Sequence, residues 1–247
     1  MPDLTVSLFP PLLLLAAAAL LASTLAAVAG FGGAAVLLPV LVAVFGVRDA
    51  IPILTVAQLI GNGARVVLNR AEVDLHVVGW FALGGIPAAL AGGLLFAAAP
   101  LSALTRLLGA FLLLVVVWRH VGPAPAGRLP LRAFAPLGAL FSFLSALLGS
   151  VGPLMAPFFL AYGLVKGAYI GTEALSTVVM HVTKLVAYGG AAILTPASLG
   201  AGLGLGPLMV AGSFLGKRIV DRLPEAVFVA IIEAVLLVAG IAFLIAG

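Results

Sequence analysis

The chain has 247 residues, of which 64% are hydrophobic and 8% are charged, and its formal net charge at pH 7 is +4. Soluble domains carry roughly a quarter charged residues, so the composition excludes a soluble globular fold and predicts an all-α polytopic membrane protein. The small, scattered excess of basic residues indicates no nucleic-acid partner. The absence of cysteine excludes disulfides and thiol catalysis, and the three histidines are isolated, so we expect no metal and no cofactor.

Apolar runs between glycine, proline and polar breakers predict about ten helical segments. In chain order these are 8–29, 33–46, 50–68, 75–98, 102–118, 131–148, 152–164, 168–190, 197–219 and 225–246. Most are long enough to cross a hydrocarbon core of about 30 Å as helices. The segment 33–46 reaches only about 21 Å, and 152–164 is equally short. We therefore expect eight to ten crossings, with the two short segments forming broken or re-entrant helices.

A polar, proline-containing linker at 119–132 divides the chain into a first transmembrane repeat, 1–118, and a second, 133–247. The stretch "GFGGAAVLLP" in the first half resembles "LGSVGPLMAP" in the second, and the prolines that end them are 118 residues apart. Further on, "QLIGNGARVVLN" aligns with "TVVMHVTKLVAY" at an offset of 119. Chance recurrence of glycine and proline is the alternative, but the matched order of these features favours a duplication.

The distribution of basic residues predicts the topology. Both the linker and the cluster of Lys217, Arg218 and Arg222 should face the cytoplasm. Five segments in each half then make the repeats inverted, with both termini outside. Arg48 is an exception, because it falls on the outer side. If the short segments re-enter without crossing, the repeats become parallel, but we favour the inverted arrangement.

Glycine-rich turns precede both short segments and give the first group of candidate substrate-binding residues. These are Gly30, Gly32 and Gly33 in the first half, and Gly149, Ser150 and Gly152 in the second. Non-helical backbone at bilayer depth is tolerated only inside protein or beside water. Paired interrupted segments in two repeats indicate a transporter binding site, and the free N–H groups of a helix start suit an anion. The alternative is close helix packing by small residues.

Polar stripes on two later helices give the second group of candidates. Spacings of three and four place them on one face of each helix: Gln58, Asn62 and Arg65 in 50–68, and Thr177, His181 and Lys184 in 168–190. A charged group near the bilayer centre costs about 2.5–3.5 kcal/mol, so such residues normally face the bundle interior or a water-filled path. Arg65 and Lys184 would then be a pseudo-symmetric pair of cations. Alternatively, both snorkel to the surface, and His181 makes an ordinary helix contact.

Two carboxylates lie inside apolar segments, Glu173 and Glu233. Desolvation favours the protonated form of a lone buried carboxylate, so both are candidate proton carriers. The alternative is a structural ion pair with a buried cation such as Arg106 or Lys184. For Glu233, which has no counterpart in the first half, we favour that alternative.

The glycine-rich stretch "GFGGAAVLLPVL", and "LGSVGPLMAPFF" followed by "GLVKGAYIGTEAL", resemble the TauE/SafE sulfite exporter family over nearly the whole chain. The resemblance implies a secondary transporter that moves small anions such as sulfite, sulfoacetate or related sulfonates across the bacterial inner membrane. Gly171 and Thr172 match the small-residue step of the family's following helix, which adds Thr172 to the candidate site. Glu173 departs from the pattern, because a small or hydroxyl residue is more usual there. A carboxylate near an anion site must be neutral, paired or turned away.

The leading hypothesis is therefore a transporter, not an enzyme, whose repeats alternate access to a central anion site. A passive anion channel would use the same groups. An intramembrane serine hydrolase built on Ser150 and His181 is disfavoured, because the first glycine turn has no serine. The expected partners are a small anion and membrane lipids, with homodimer formation left open. The anion, the coupling ion and the direction of flux are also left open.

Overall fold

The structure is a computed structural model that describes residues 4–121, 129–149 and 151–219, together with positions 237, 241 and 245. The regular secondary structure of the described residues is helical throughout. The long helices are α1 (Leu4–Ala29), α2 (Gly33–Leu68), α3 (Leu75–Ala98), α4 (Leu101–Val121), α5 (Phe134–Leu148), α6 (Gly152–Tyr162), α7 (Lys166–Gly190) and α8 (Pro196–Ile219). Single 3₁₀ turns at Arg70–Glu72 and Leu131–Ala133 precede α3 and α5.

Six of the described helices are long and apolar enough to cross a membrane, namely α1, α2, α3, α4, α5 with its preceding turn, and α8. This confirms the all-α, polytopic class. The predicted segment 225–246 lies outside the described residues, apart from three isolated positions. The count of ten segments therefore stays a prediction.

The predicted breaks occur where the glycines are. Between α1 and α2, Gly30 has φ 79° and Gly32 has φ 94°. After α5, Gly149 has φ 86°, and it stands 119 positions from Gly30. Residues with a Cβ rarely adopt this left-handed region, so glycine permits each chain reversal. The first limb of α2, up to the bend at Gly46, begins directly after the first turn, and α6 begins just after the second.

One predicted boundary was wrong in its detail. The segments 33–46 and 50–68 are not separated by a loop, because residues 47–49 are helical and α2 runs through them. The helix instead bends at Gly46, which has φ 75° and ψ 164°. In the second half a turn of residues 163–165 separates α6 from α7, and it starts at Gly163 with φ 108°. One glycine is enough to redirect the chain in the first half.

The helices of the two halves pack mainly against each other. The pairs α3–α5 and α1–α8 make the most extensive contacts, followed by α2–α8, α2–α7 and α3–α7. Small residues allow the backbones to approach closely. A Cβ on Gly138 would lie 2.1 Å from the carbonyl oxygen of Phe81, and one on Gly212 would lie 2.7 Å from that of Leu20. The two halves are therefore interlocked across these interfaces.

Basic side chains bind the exposed carbonyls at two helix ends. Arg48 donates to the carbonyl oxygens of Ala97 at 3.3 Å and Ala99 at 2.7 Å, at the end of α3. Lys217 donates to the carbonyl oxygen of Leu68, at the end of α2. Cations favour helix C-termini because the last carbonyls lack backbone partners. Arg48 therefore has a structural role at the end of α3, which accounts for a basic residue on the predicted outer side.

Candidate functional site

The two glycine turns meet at a cavity of about 40 Å³, which the last third of α2 and the middle of α7 complete. One water molecule needs about 10–15 Å³ of such space, so the cavity holds about three waters or one small oxyanion. Most of the predicted site residues line it: Gly30, Gly32, Gly33, Gln58, Asn62, Arg65, Gly149, Gly152, Glu173, Thr177 and His181. The two glycine turns and the two polar stripes therefore come together in one place, as their spacing in the sequence predicts.

Two predicted residues that the structure describes do not line the cavity. Thr172 is buried near the start of α7, and its Oγ1 accepts a hydrogen bond from the backbone N–H of Asp74 at 2.9 Å. Lys184 reaches the cavity only through a partner side chain. Ser150 and Glu233 lie outside the described residues, so the proposed serine–histidine pair and the second carboxylate remain untested.

The two breaks touch each other. A Cβ on Gly152 would lie 3.2 Å from Cβ of Phe31 and 3.8 Å from the backbone nitrogen of Gly32. Neither α2 nor α6 has a side chain that caps its first turn. The starts of both helices line the cavity. The partial positive charge at the N-termini of both helices is therefore directed towards the same small space.

Arg65 is buried, with 4% of its surface exposed, so the snorkelling alternative is wrong for this residue. Its Nη1 donates to the carbonyl oxygens of Gly30 at 2.8 Å and Ala26 at 3.2 Å. Its Nη2 donates to Oδ1 of Asn62. The two carbonyls stand at the end of α1, where the carbonyl of Ala26 also accepts the backbone N–H of Gly30 at 2.9 Å. Arg65 therefore caps the interrupted helix.

The guanidinium also pairs with Glu173, because Nη1 of Arg65 lies 3.2 Å from Oε2 of that carboxylate. Thr177 Oγ1 donates to the other carboxylate oxygen at 3.1 Å. The alternative of a structural ion pair with a buried cation is confirmed for Glu173, but the cation is neither of the two suggested: Arg106 is exposed, and Lys184 binds Ser145. The carboxylate that departs from the family pattern is paired, and the charge of Arg65 is compensated within the protein.

Lys184 is fully buried, and its Nζ donates to Oγ of Ser145 at 3.2 Å. Lys184 and Ser145 each stand 119 positions after Arg65 and Ala26, so both cations bind equivalent points before the two breaks. Ser145 lines the cavity and was missed at the sequence level, although the same offset applied to Ala26 finds it. No carboxylate in the described part of the chain lies within ion-pair distance of Lys184.

Two buried polar atoms in the cavity wall have no hydrogen-bond partner among the described residues, Nε2 of Gln58 and Nδ1 of His181. An unsatisfied buried polar group costs about 1–3 kcal/mol, so such atoms normally meet water or a ligand. The hydroxyl of Tyr169 is also buried without a partner. Its ring lies against the first break, since a Cβ on Gly30 would be 2.3 Å from Cε1 of Tyr169. Tyr169 was missed in the sequence, although it precedes Glu173 by four positions and so continues the polar stripe of α7.

An apolar helical bundle with two glycine breaks beside a cavity lined by polar groups is typical of a multi-pass membrane protein that transports a small solute. The family model described as "Sulfite exporter TauE/SafE" matches residues 15–243. The chain belongs to this family, which confirms the resemblance seen in its glycine turns. No match was found among curated proteins or among solved structures.

The ion pair predicts a strongly non-additive pair of substitutions. Glu173→Leu leaves the guanidinium of Arg65 buried without a counter-charge, which we expect to lower the free energy of unfolding by about 3–5 kcal/mol. Adding Arg65→Met should restore a large part of that loss, although the carbonyls of α1 then lack their cap. Thermal unfolding of the purified variants in detergent measures the coupling. Losses that simply add would show that the two charges do not interact.

Proposed function

We propose that the protein is a secondary transporter that moves a small sulfur-containing anion, such as sulfite, sulfoacetate or another organosulfonate, across the bacterial inner membrane by alternating access. Membership of the sulfite exporter family supports the substrate class. The observation that carries the proposal is the cavity itself, where two uncapped helix N-termini converge beside two unpartnered polar side chains.

The charges around the first break favour an anion over a cation. The end of α1 carries partial negative charge on its last carbonyls, and Arg65 covers it. The start of α2 carries partial positive charge, and no side chain covers it. At the second break the start of α6 is also uncapped, and the cation Lys184 donates to the hydroxyl of Ser145 in the last turn of α5. An oxyanion would complete both N-termini and accept a hydrogen bond from Gln58.

The packing of the helices supports an inverted duplication. If α1 corresponds to α5, α3 to α8, and the second limb of α2 to α7, each main contact between the halves has a counterpart: α1–α8 with α5–α3, and α2–α8 with α7–α3. The pair α2–α7 maps onto itself. Because these contacts cross between the halves, we propose that the moving bodies are α1 with α8 and α3 with α5. The sequence halves would then not move as separate units.

The contacts between helix ends support the predicted topology. Lys217 binds the end of α2, and the loop after α2 bonds to the start of α7. The inverted arrangement places these ends on the cytoplasmic face. Arg48 binds the end of α3, and both of these ends belong to the outer face. Each of these bonds joins ends that share a predicted side of the membrane.

The chain has no cysteine, so single cysteines can report the topology without background. Ala71→Cys, exposed in the loop after α2, and Ser102→Cys, exposed at the start of α4, mark the two predicted faces. In spheroplasts we expect a membrane-impermeant maleimide to label Ser102→Cys at once and Ala71→Cys only after permeabilisation. Labelling of both from outside, or the reverse order, would contradict the inverted arrangement.

Substituting Gln58 tests whether its unpartnered amide serves a ligand. Gln58→Met should leave the unfolding temperature unchanged or higher, because it removes a buried donor without a partner. A hydrogen bond to a charged group is worth about 1.5–3 kcal/mol, so sulfite affinity should fall by about tenfold or more. Calorimetric titration with sulfite, and sulfite uptake into proteoliposomes, measure the effect.

The matched control is Thr105→Val, which removes an exposed hydroxyl on α4 far along the chain from the cavity residues. It should bind sulfite as the unaltered protein does. Equal sulfite affinity in Gln58→Met and the control would remove Gln58 from the site. Sulfite flux through the unaltered protein that never exceeds equilibration under an ion gradient would indicate a passive channel.

A further inference from the structure

The Arg65–Glu173 pair lies in the wall of the cavity that is proposed to hold the anion. Among the described residues that line this cavity, Glu173 is the one acid and Arg65 the one permanent cation. Both side chains are almost completely buried. Any anion that enters therefore meets a carboxylate of the same sign at close range, with little water to screen the repulsion.

In Arg65, the nitrogen that pairs with Glu173 has no hydrogen left for a second anion. Its Nη1 already donates to two carbonyls and to Glu173, and its Nη2 donates to Asn62. The carboxylate and an incoming anion thus compete for the same guanidinium. Protonation of Glu173 would resolve the competition in place, because it removes the repulsion and frees the charge of Arg65 without moving the backbone.

We propose that Glu173 is the proton-coupling residue of this transporter: its carboxylate takes up one proton when an anion enters the cavity and releases it when the anion leaves. This rests on the proposed function. One proton and one anion enter from the same compartment, the proton bonds to a carboxylate oxygen, and the anion takes the place of that carboxylate beside Arg65. For a monovalent anion the net charge of the site is unchanged, so the loaded and empty forms are electrostatically equivalent.

The surroundings of Glu173 favour a single proton site. From α2 it faces Arg65, with Asn62 and Gln58 in the same wall. Its own helix α7 adds three groups, Tyr169, Thr177 and His181. The described lining residues from α1, α5 and α6 carry no titratable side chain.

The duplication also limits the number of proton sites. The position 119 residues before Glu173 is Leu54, so the first half has no equivalent carboxylate. Lys184, the counterpart of Arg65, correspondingly has no carboxylate partner among the described residues. We therefore expect a coupling ratio of one proton for each anion.

The test is uptake of radiolabelled sulfite into proteoliposomes with an alkaline interior, with the membrane potential clamped at zero by potassium and valinomycin. One-to-one coupling supports about a tenfold gradient of the transported ion for each unit of pH difference. In Glu173→Gln the amide cannot change its charge. We expect pH-driven accumulation to be lost, while exchange of internal for external sulfite continues because Arg65 no longer faces a competing carboxylate.

The matched control is Glu72→Gln, at an exposed carboxylate in the loop after α2, which should accumulate sulfite like the unaltered protein. A pH-sensitive dye inside the vesicles gives a second measurement that needs no variant. Sulfite uptake by the unaltered protein should carry protons inward, beyond the amount seen in protein-free vesicles.

The possible results lead to different conclusions about the proton site and about sulfite transport. Accumulation that persists in Glu173→Gln would assign the proton to His181 or to bisulfite itself and overturn the proposal. Sulfite exchange without pH-driven accumulation in the unaltered protein would also overturn it, while the transport function would stand. Absence of any sulfite flux through the unaltered protein would remove sulfite transport, and the coupling proposal would fall with it.

Discussion

The structure depends on satisfying the backbone hydrogen bonds of helices that break inside the bilayer. A helix that stops in the hydrocarbon region leaves carbonyl and N–H groups that lipid cannot satisfy. Each unsatisfied group costs on the order of several kcal/mol in such an apolar medium. Here α1 stops at Ala29, and Arg65 binds the carbonyls of Ala26 and Gly30. The first role of Arg65 is therefore structural. Its hydrogen bonds to these carbonyls hold the guanidinium at the buried end of α1.

This cap has an electrostatic consequence. Covering the carbonyl end of one helix while leaving the N–H end of the next helix uncovered turns a neutral break into a site with excess positive potential. At the first break Arg65 covers the carbonyl end of α1, and at the second Lys184 donates to the hydroxyl of Ser145 in the last turn of α5. Because the breaks touch near Phe31 and Gly152, both positive ends act on one cavity. The anion preference that we propose thus arises mainly from backbone geometry, and the cations make that geometry possible.

The positions of the site residues could be predicted from the sequence because they depend on local rules. Glycines at 30 and 149 indicated the breaks, and spacings of three and four put Gln58 and His181 on interior faces. The internal offset of 119 related the two halves and would also have identified Ser145. Helix periodicity and glycine conformation need no knowledge of the tertiary packing.

The pairing of charges could not be predicted in the same way. Arg65 and Glu173 are 108 positions apart on different helices, so only the packing of α2 against α7 brings them together. The single-residue bend at Gly46 was also missed, because a short apolar segment predicts a break and does not specify its length. Tyr169 lies four positions before Glu173 on α7, but helix spacing alone does not reveal its contact with the first break across the bundle.

The most direct test of the proposed anion site is a structure of the protein crystallised with selenite, an analogue of sulfite whose selenium gives an anomalous signal. We predict one anomalous peak in the cavity between the two breaks, within hydrogen-bond distance of the amide of Gln58 and of the first backbone N–H groups of α2 or α6. A cavity that is empty at saturating selenite, or a peak elsewhere in the bundle, would contradict it.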